Sequence, residues 1–239
     1  GSNSQGQLGN NTAIFDNRSI PVTTFAGGAN WRQVSCAYHT AAIKNDGTLW
    51  TWGFNNSGQL GDSTSGTNRS TPVTTFAGGT DWKQVACDGA NRTLAIKTDG
   101  TLWGWGSNAY GQLGDNTATN RLTPVTTFAG GTNWKQVACG QNHTAAIKTD
   151  GTLWTWGTNI SDTLGINSSG NKLTPVTTFA GGTNWKQVAC GGYFSVAIKT
   201  DGTLWSWGRN NNGQLGVNDL SQRPSPVTTF AGGTNWKQV

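Results

Sequence analysis

A near-identical repeat limits most sharply what this chain can fold into. Its clearest copy runs from Pro175 to Gly208 and reads PVTTFAGGTNWKQVACGGYFSVAIKTDGTLWSWG. The Trp of the NWKQV core or its near-copies recurs as Trp31, Trp82, Trp134, Trp185 and Trp236, at intervals of 51, 52, 51 and 51 residues. A period this long and regular makes each copy one supersecondary unit, which must stack on its neighbours to bury its apolar faces. The 239 residues therefore read as one array.

Each unit offers four strand-like runs. In the third full copy they are Trp134 to Cys139, His143 to Lys148, Thr152 to Trp156 and Pro175 to Phe179. Each is short, bounded by Gly, Asn or Asp, and free of helical periodicity. The second and third runs are joined by Asp150-Gly151, a hairpin signal in which Gly supplies the positive φ the turn needs; Asp46-Gly47, Asp99-Gly100 and Asp201-Gly202 repeat it. Abundant Gly and Thr disfavour helix, while Trp and Thr suit pleated strands. Four short antiparallel strands in about 50 residues describe one blade of an all-β propeller.

At this point the residues resemble a family. WGxNxxGQLG, then PVTTF, then NWKQVACGxxHTAAIKTDGTLWTWG is similar to the repeat of the regulator-of-chromosome-condensation β-propellers, over essentially the whole chain. The resemblance implies a ring of about seven blades. This chain holds five copies of the first part of the motif and four of the HTAAIKTDGTLWTWG part. The expected layout is a partial blade over 1–30, blades over about 31–81, 82–133, 134–184 and 185–235, and a partial strand at 236–239. Gly1 and Val239 both fall inside motifs, so a longer array is expected.

Charge and cysteine narrow the chemistry. The formal charge of +5 comes largely from Lys repeated once per unit, as Lys83, Lys135, Lys186 and Lys237 and as Lys44, Lys97, Lys148 and Lys199. Nucleic-acid binding calls for cations clustered on one face, so none is expected. Cys36, Cys87, Cys139 and Cys190 occupy equivalent places in successive units, too far apart for disulfides, and are expected as small buried residues. The chain has no CxxC, no His-Cys cluster, no GxGxxG before a helix and no P-loop, so no metal, cofactor or catalytic residue is assigned. No apolar run reaches membrane-spanning length, and no membrane insertion is expected.

Comparing the repeats with one another locates a candidate surface. Pro to Trp is always ten residues and Ile to Leu across the Asp-Gly turn always six. By contrast, Cys to the following Ile is seven, nine, eight and eight, and the Leu of GQLG (or its variant DTLG) to the next Pro is thirteen, twelve, then eleven three times. A meander alternates strand direction, so both variable connections emerge on one face, where loops carry recognition. The candidate binding residues there are Tyr38, His39, Asn91, Arg92, Gln141, Asn142, His143, Tyr193 and Phe194 in the first connection. Arg69, Arg121, Lys172 and Arg223 join them from the second.

Other recurring groups read as structural. The pairs Trp50/Trp52, Trp103/Trp105, Trp154/Trp156 and Trp205/Trp207 put two indoles on one strand face for packing between blades. His39 and His143 align with Arg92 and Phe194, which excludes a shared catalytic or metal role. The Gln of GQLG is expected to hydrogen-bond backbone between blades, although Thr163 replaces it once.

The leading functional expectation is a non-enzymatic interaction or structural module that presents one variable rim to a protein partner or assembly. Uniform copies of this kind resemble those of bacterial surface and virion proteins. A lectin-like module stacking sugars on Trp, Tyr38, Tyr110 and Tyr193 is the alternative. Guanine-nucleotide exchange, which some members of the family perform with an inserted wedge, ranks third; nothing in these uniform repeats matches such an insertion.

Overall fold

The computed structural model describes residues 1–12, 15–88 and 91–239. The chain is all-β, with four antiparallel sheets of four strands, each ordered as a simple meander. The contacts divide it into two units, residues 1–108 with 119–126 and residues 109–118 with 127–239.

The first unit holds two sheets. One contains β1 (Trp31–Cys36), β2 (His39–Lys44), β3 (Leu49–Gly53) and β4 (Arg69–Thr74). The other contains β5 (Trp82–Asp88), β6 (Arg92–Lys97), β7 (Leu102–Gly106) and β8 (Arg121–Thr126). The second unit repeats the arrangement with β9 (Trp134–Cys139), β10 (His143–Lys148), β11 (Leu153–Gly157) and β12 (Lys172–Thr177), followed by β13 (Trp185–Cys190), β14 (Phe194–Lys199), β15 (Leu204–Gly208) and β16 (Arg223–Thr228). A single 3-10 turn, Ile160–Asp162, is the helical content of the described residues. The fourth strands begin three residues before the Pro expected to open them. In β12, Lys172 pairs with Gly157 across a bulge, which extends the strand beyond its apolar part.

Within each unit the two sheets stack face to face, which is how propeller blades bury their apolar faces. In the first, Ala41, Ile43 and Leu49 of one sheet pack against Trp82, Val85, Ala95 and Trp105 of the other. In the second, Ala145, Ile147 and Leu153 pack against Trp185, Val188, Ala197 and Trp207. The repeated sequence makes these two seams the same contact in different copies. Their indoles meet edge-on, as aromatic quadrupoles prefer: Trp82 lies 6.0 Å from Trp105 at 65°, and Trp185 lies 6.4 Å from Trp207 at 65°.

The GQLG segment explains the second Trp of each pair. It does not stay on the rim but runs down into the stack, with Leu60, Leu113 and Leu164 buried. Its backbone then caps an indole of a sheet: Trp52 Nε1 donates to the Gln7 carbonyl at 2.9 Å, Trp105 to Gln59 at 2.9 Å, Trp156 to Gln112 at 3.0 Å and Trp207 to Thr163 at 3.0 Å. The acceptor is a main-chain oxygen, so Thr163 serves as well as Gln. The Gln side chain does something else than expected. Its Oε1 accepts from backbone N–H two residues earlier, from Gln5, Ser57, Tyr110 and Asn212, and so closes its own turn. Glycine is required beside it because a Cβ on Gly61 would sit 2.7 Å from Trp105 Nε1.

The Asp-Gly turns sit at the opposite ends of the sheets. Asp46 Oδ1 accepts from the Thr48 N–H at 2.9 Å and the Thr48 hydroxyl at 2.7 Å, and that hydroxyl accepts from Trp50 Nε1 at 2.9 Å. Asp99, Asp150 and Asp201 repeat the relay. These hydrogen bonds hold the four carboxyls below the ordinary range. Beside each turn a Lys lies over two indoles. Lys44 Nζ is 5.0 Å from Trp31 and 4.5 Å from Trp50, and Lys199 is 4.7 Å from Trp185 and 4.1 Å from Trp205. Half of the repeated lysines are thus structural.

The cysteines are free, as the spacing implied, but less buried than expected: Cys36 is exposed and Cys87, Cys139 and Cys190 are half-buried. Their strands lie at sheet edges, where one face stays open to solvent.

Candidate interaction surface

The two variable connections of every sheet meet at one end. Phe54 N–H donates to the Tyr38 carbonyl at 3.1 Å, Ser107 to Asn91 at 2.8 Å, Thr158 to Asn142 at 2.8 Å and Arg209 to Tyr193 at 2.9 Å. In each case the residue leaving the third strand is tied to the last residue before the second. This bond follows from the register, which sets His39, Arg92, His143 and Phe194 opposite Gly53, Gly106, Gly157 and Gly208. Whatever the loops carry, they carry it side by side.

The second connection is organised by an Asn that the sequence analysis quoted in WGxNxxGQLG but gave no role. Asn55 is fully buried, and its Oδ1 accepts from the Leu60 N–H at 3.1 Å while its Nδ2 donates to Thr64 Oγ1 at 2.9 Å. Asn3, Asn159 and Asn210 accept from Leu8, Leu164 and Leu215 in the same way. One side chain thereby separates a constant buried half of the loop from a variable exposed half. Its recurrence one residue after WGx was the available signal.

Among the expected site residues, Tyr38, Asn91, Gln141, Asn142 and Tyr193 lie at or near the surface. Tyr38 is 59% exposed and stands edge-on to Phe54 at 6.4 Å. Gln5, Tyr38, Phe54 and Asn91 line a shallow cleft of about 180 Å³ in the first unit. In the second unit Arg209 lies over the Tyr193 ring at 5.8 Å. Residues 89 and 90, in the longest of these connections, lie outside the described residues.

His39, Arg92 and His143 are fully buried, which takes them off the surface on which they were expected. They are the first residues of β2, β6 and β10, and the next sheet of the same unit covers the two histidines. His39 Nε2 meets Thr93 Oγ1 at 2.8 Å in the next sheet of its unit, and His143 Nε2 meets Ser195 Oγ at 2.9 Å in the next sheet of its own. Burial lowers the His39 pKa to about 3, so the ring is neutral over the physiological range. Phe194, at the same position in the last sheet, is half-buried, with its ring against Gly191.

The basic residues of the second connection are half-buried and occupy one register position, opposite the Gly that ends the third strand. Arg69 is bound to Asp62, at 2.9 Å through Nε and 2.8 Å through its terminal nitrogen. Burial pushes the Asp62 carboxyl up, but hydrogen bonds from Thr64 and Arg69 outweigh it and hold the group below its usual value. Arg223 pairs with Asp219 through one terminal nitrogen at 2.5 Å. Both arginines close their own loops, and Arg121 and Lys172 hold the matching places at the starts of β8 and β12. No group of three or more His, Cys, Asp or Glu side chains with metal-binding proximity occurs among the described residues.

Comparison with known proteins gives the same architecture. The RCC1-like domain family matches residues 1–239. The chain belongs to the RCC1-like family. This RCC1-like chain is 34% identical over 223 residues to the ultraviolet-B receptor UVR8 of Arabidopsis thaliana, covering 92% of the chain and 50% of the receptor. It is 33% identical over 209 residues to the human probable E3 ubiquitin-protein ligase HERC4, covering 85% of the chain and 19% of the ligase. The structure of human WBSCR16 superposes with a TM-score of 0.82 at 26% identity, over 96% of the chain and 61% of that protein. Yeast Prp20p, described with its binding to Gsp1p and histones, superposes at 0.73 with 20% identity, over 84% of the chain and 51% of Prp20p, a likeness of fold. The RCC1-like chain thus spans half or less of the curated relatives named here.

Proposed function

We propose that the chain is a non-enzymatic protein-interaction module whose contact surface is the end of the sheets that carries both variable connections. The observation that supports this most is the backbone bond between those connections, repeated from Tyr38/Phe54 to Tyr193/Arg209. It keeps two loops of differing length and sequence adjacent in every sheet, on a rigid scaffold, as recognition surfaces require. The contact residues are then Tyr38, Asn91, Gln141, Asn142 and Tyr193, with Lys172 beside them. Arg69 and Arg223 shape the loops rather than meet the partner. Related proteins of this fold are described as binding proteins: Prp20p with Gsp1p and histones, and yeast RCC1 with Kap60. A virion or cell-surface setting finds no support among the relatives named above and is not part of this reading.

The test is site-specific photo-crosslinking. A benzophenone amino acid at Tyr38 and at Tyr193 is expected to capture one protein, and the same group at exposed Thr177, on an outer edge strand, is expected to capture none. The purified partner should then bind wild type and lose affinity for the Tyr38→Ala/Tyr193→Ala double variant. Glycan-array binding without any protein crosslink would favour the lectin alternative. Nucleotide release from a small GTPase would favour exchange.

A further inference from the structure

A second surface emerges from following the cations of the chain. Lys44, Lys97, Lys148 and Lys199 are held over indoles. Arg18, Arg69 and Arg223 are ion-paired, and Arg92 is buried. Much of the remaining positive charge falls at one structural position, the residue after the Trp that opens each first strand: Arg32, Lys83, Lys135, Lys186 and Lys237. Arg32 donates to the Trp82 carbonyl. The four lysines are exposed and have no ion pair among the described residues.

The fold makes this position the same in each copy. In the second unit, Lys135 and Lys186 are the extra residues of β-bulges, lying between the paired positions Trp134 and Gln136 and between Trp185 and Gln187. Lys237 follows Trp236, whose N–H donates to Gly202 and whose indole donates to Gly232, as Trp185 donates to Gly151 and Gly181. The first strands are locked side by side by a Gln amide that imitates a strand pair. Gln136 bonds the Val188 backbone through both ends at 3.1 Å, and Gln187 bonds Val239 at 3.2 Å. Lys135 and Lys186, on the edge strands β9 and β13, and Lys237, in the segment bonded beside β13, therefore form a row of three cations at the ends that carry the Asp-Gly turns.

We propose that this row binds an acidic, extended peptide segment of a partner protein. Stacked sheets lie about 10 Å apart, and a chain extended as polyproline II puts every third side chain on one face about 9 Å apart, so carboxylates at every third residue match the row. Each partner carboxylate meets an exposed ammonium that forms no ion pair among the described residues, which is charge complementarity of the kind that sets register and speeds association. The surface is distinct from the variable rim and stands independently of the function proposed there.

The probe is a fluorescein-labelled peptide with Glu at every third position and Gly or Ser between, followed by anisotropy at low salt. Wild type is expected to bind it, with affinity falling as salt rises. Lys135→Gln/Lys186→Gln is expected to weaken binding about tenfold. Thr177→Glu/Thr228→Glu lowers the net charge equally on the exposed ends of the outer strands and is expected to change binding by less than about twofold. Equal losses in the two variants, or no binding by wild type, would overturn the proposal. Tighter binding of a single-stranded oligonucleotide than of the peptide at the same salt would overturn the assigned partner.

Discussion

The seam between stacked sheets and the loops at their ends obey different rules. At the seam of the first unit His39 reaches Thr93, and at that of the second His143 reaches Ser195, at nearly the same distance. At the sheet ends the connection that begins one or two residues away has a different length or sequence in every copy. The contrast shows what holds a repeat constant. Where the contact is made by backbone, as with Gln59 and Thr163 capping Trp105 and Trp207, the side chain is free to change. Where an indole or a histidine fills space against the next sheet, alternatives of the same reach are needed.

Truncating the seam should therefore cost most. Trp105→Ala removes a fully buried indole and its hydrogen bond to Gln59, and should lower the unfolding free energy by about 3–5 kcal/mol. Tyr110→Ala, an exposed ring in a loop, should stay within about 0.5 kcal/mol in the same urea titration.

Two glycines sharpen the comparison, because both hold positive φ. Gly61, at +66°, has Trp105 where a Cβ would go, whereas Gly66, at +73°, has open space. Gly66→Ala should cost about 1 kcal/mol from backbone strain alone, and Gly61→Ala at least about twice that.

Protonation gives a third test. The His39 pKa is about 3 in the folded chain against 6.5 for a free imidazole, so below pH 6.5 the unfolded state binds a proton that the folded state refuses. Stability must then fall as pH is lowered from 6.5 towards 3, by about 2 kcal/mol between pH 6.5 and 5 from this residue. His39→Phe, which copies Phe194, should flatten that part of the melting-temperature profile by one proton. The Asp-Gly carboxyls act in the same direction but only below the ordinary carboxylate range, which separates the two contributions.

The smallest effect belongs to the clamped lysines. Lys44→Ala should cost about 0.5–1 kcal/mol through its two indoles, and Lys83→Ala should cost nothing measurable.

The blade architecture was legible because hairpin signals and Trp spacing are local and repeated; β9 and β10 begin and end at the expected residues. Three features were not. The descent of GQLG into the stack depends on backbone carbonyls, which carry no sequence signature. The burial of His39 and His143 depends on the sheet stacked over them, not on the loop beside them. The Phe of PVTTF looked like the apolar end of a strand, yet Phe76, Phe128 and Phe179 are 65–72% exposed, because the chain turns away just before them.

The separation of fold from recognition is tested most directly by grafting Gln141-Asn142 in place of Gly192-Tyr193, which keeps the loop length and Gly191, and measuring two quantities on one protein. The expected result is an unfolding free energy within about 0.5 kcal/mol of wild type, with affinity for the crosslinked partner lost. Unchanged affinity, or a large loss of stability, would contradict the account.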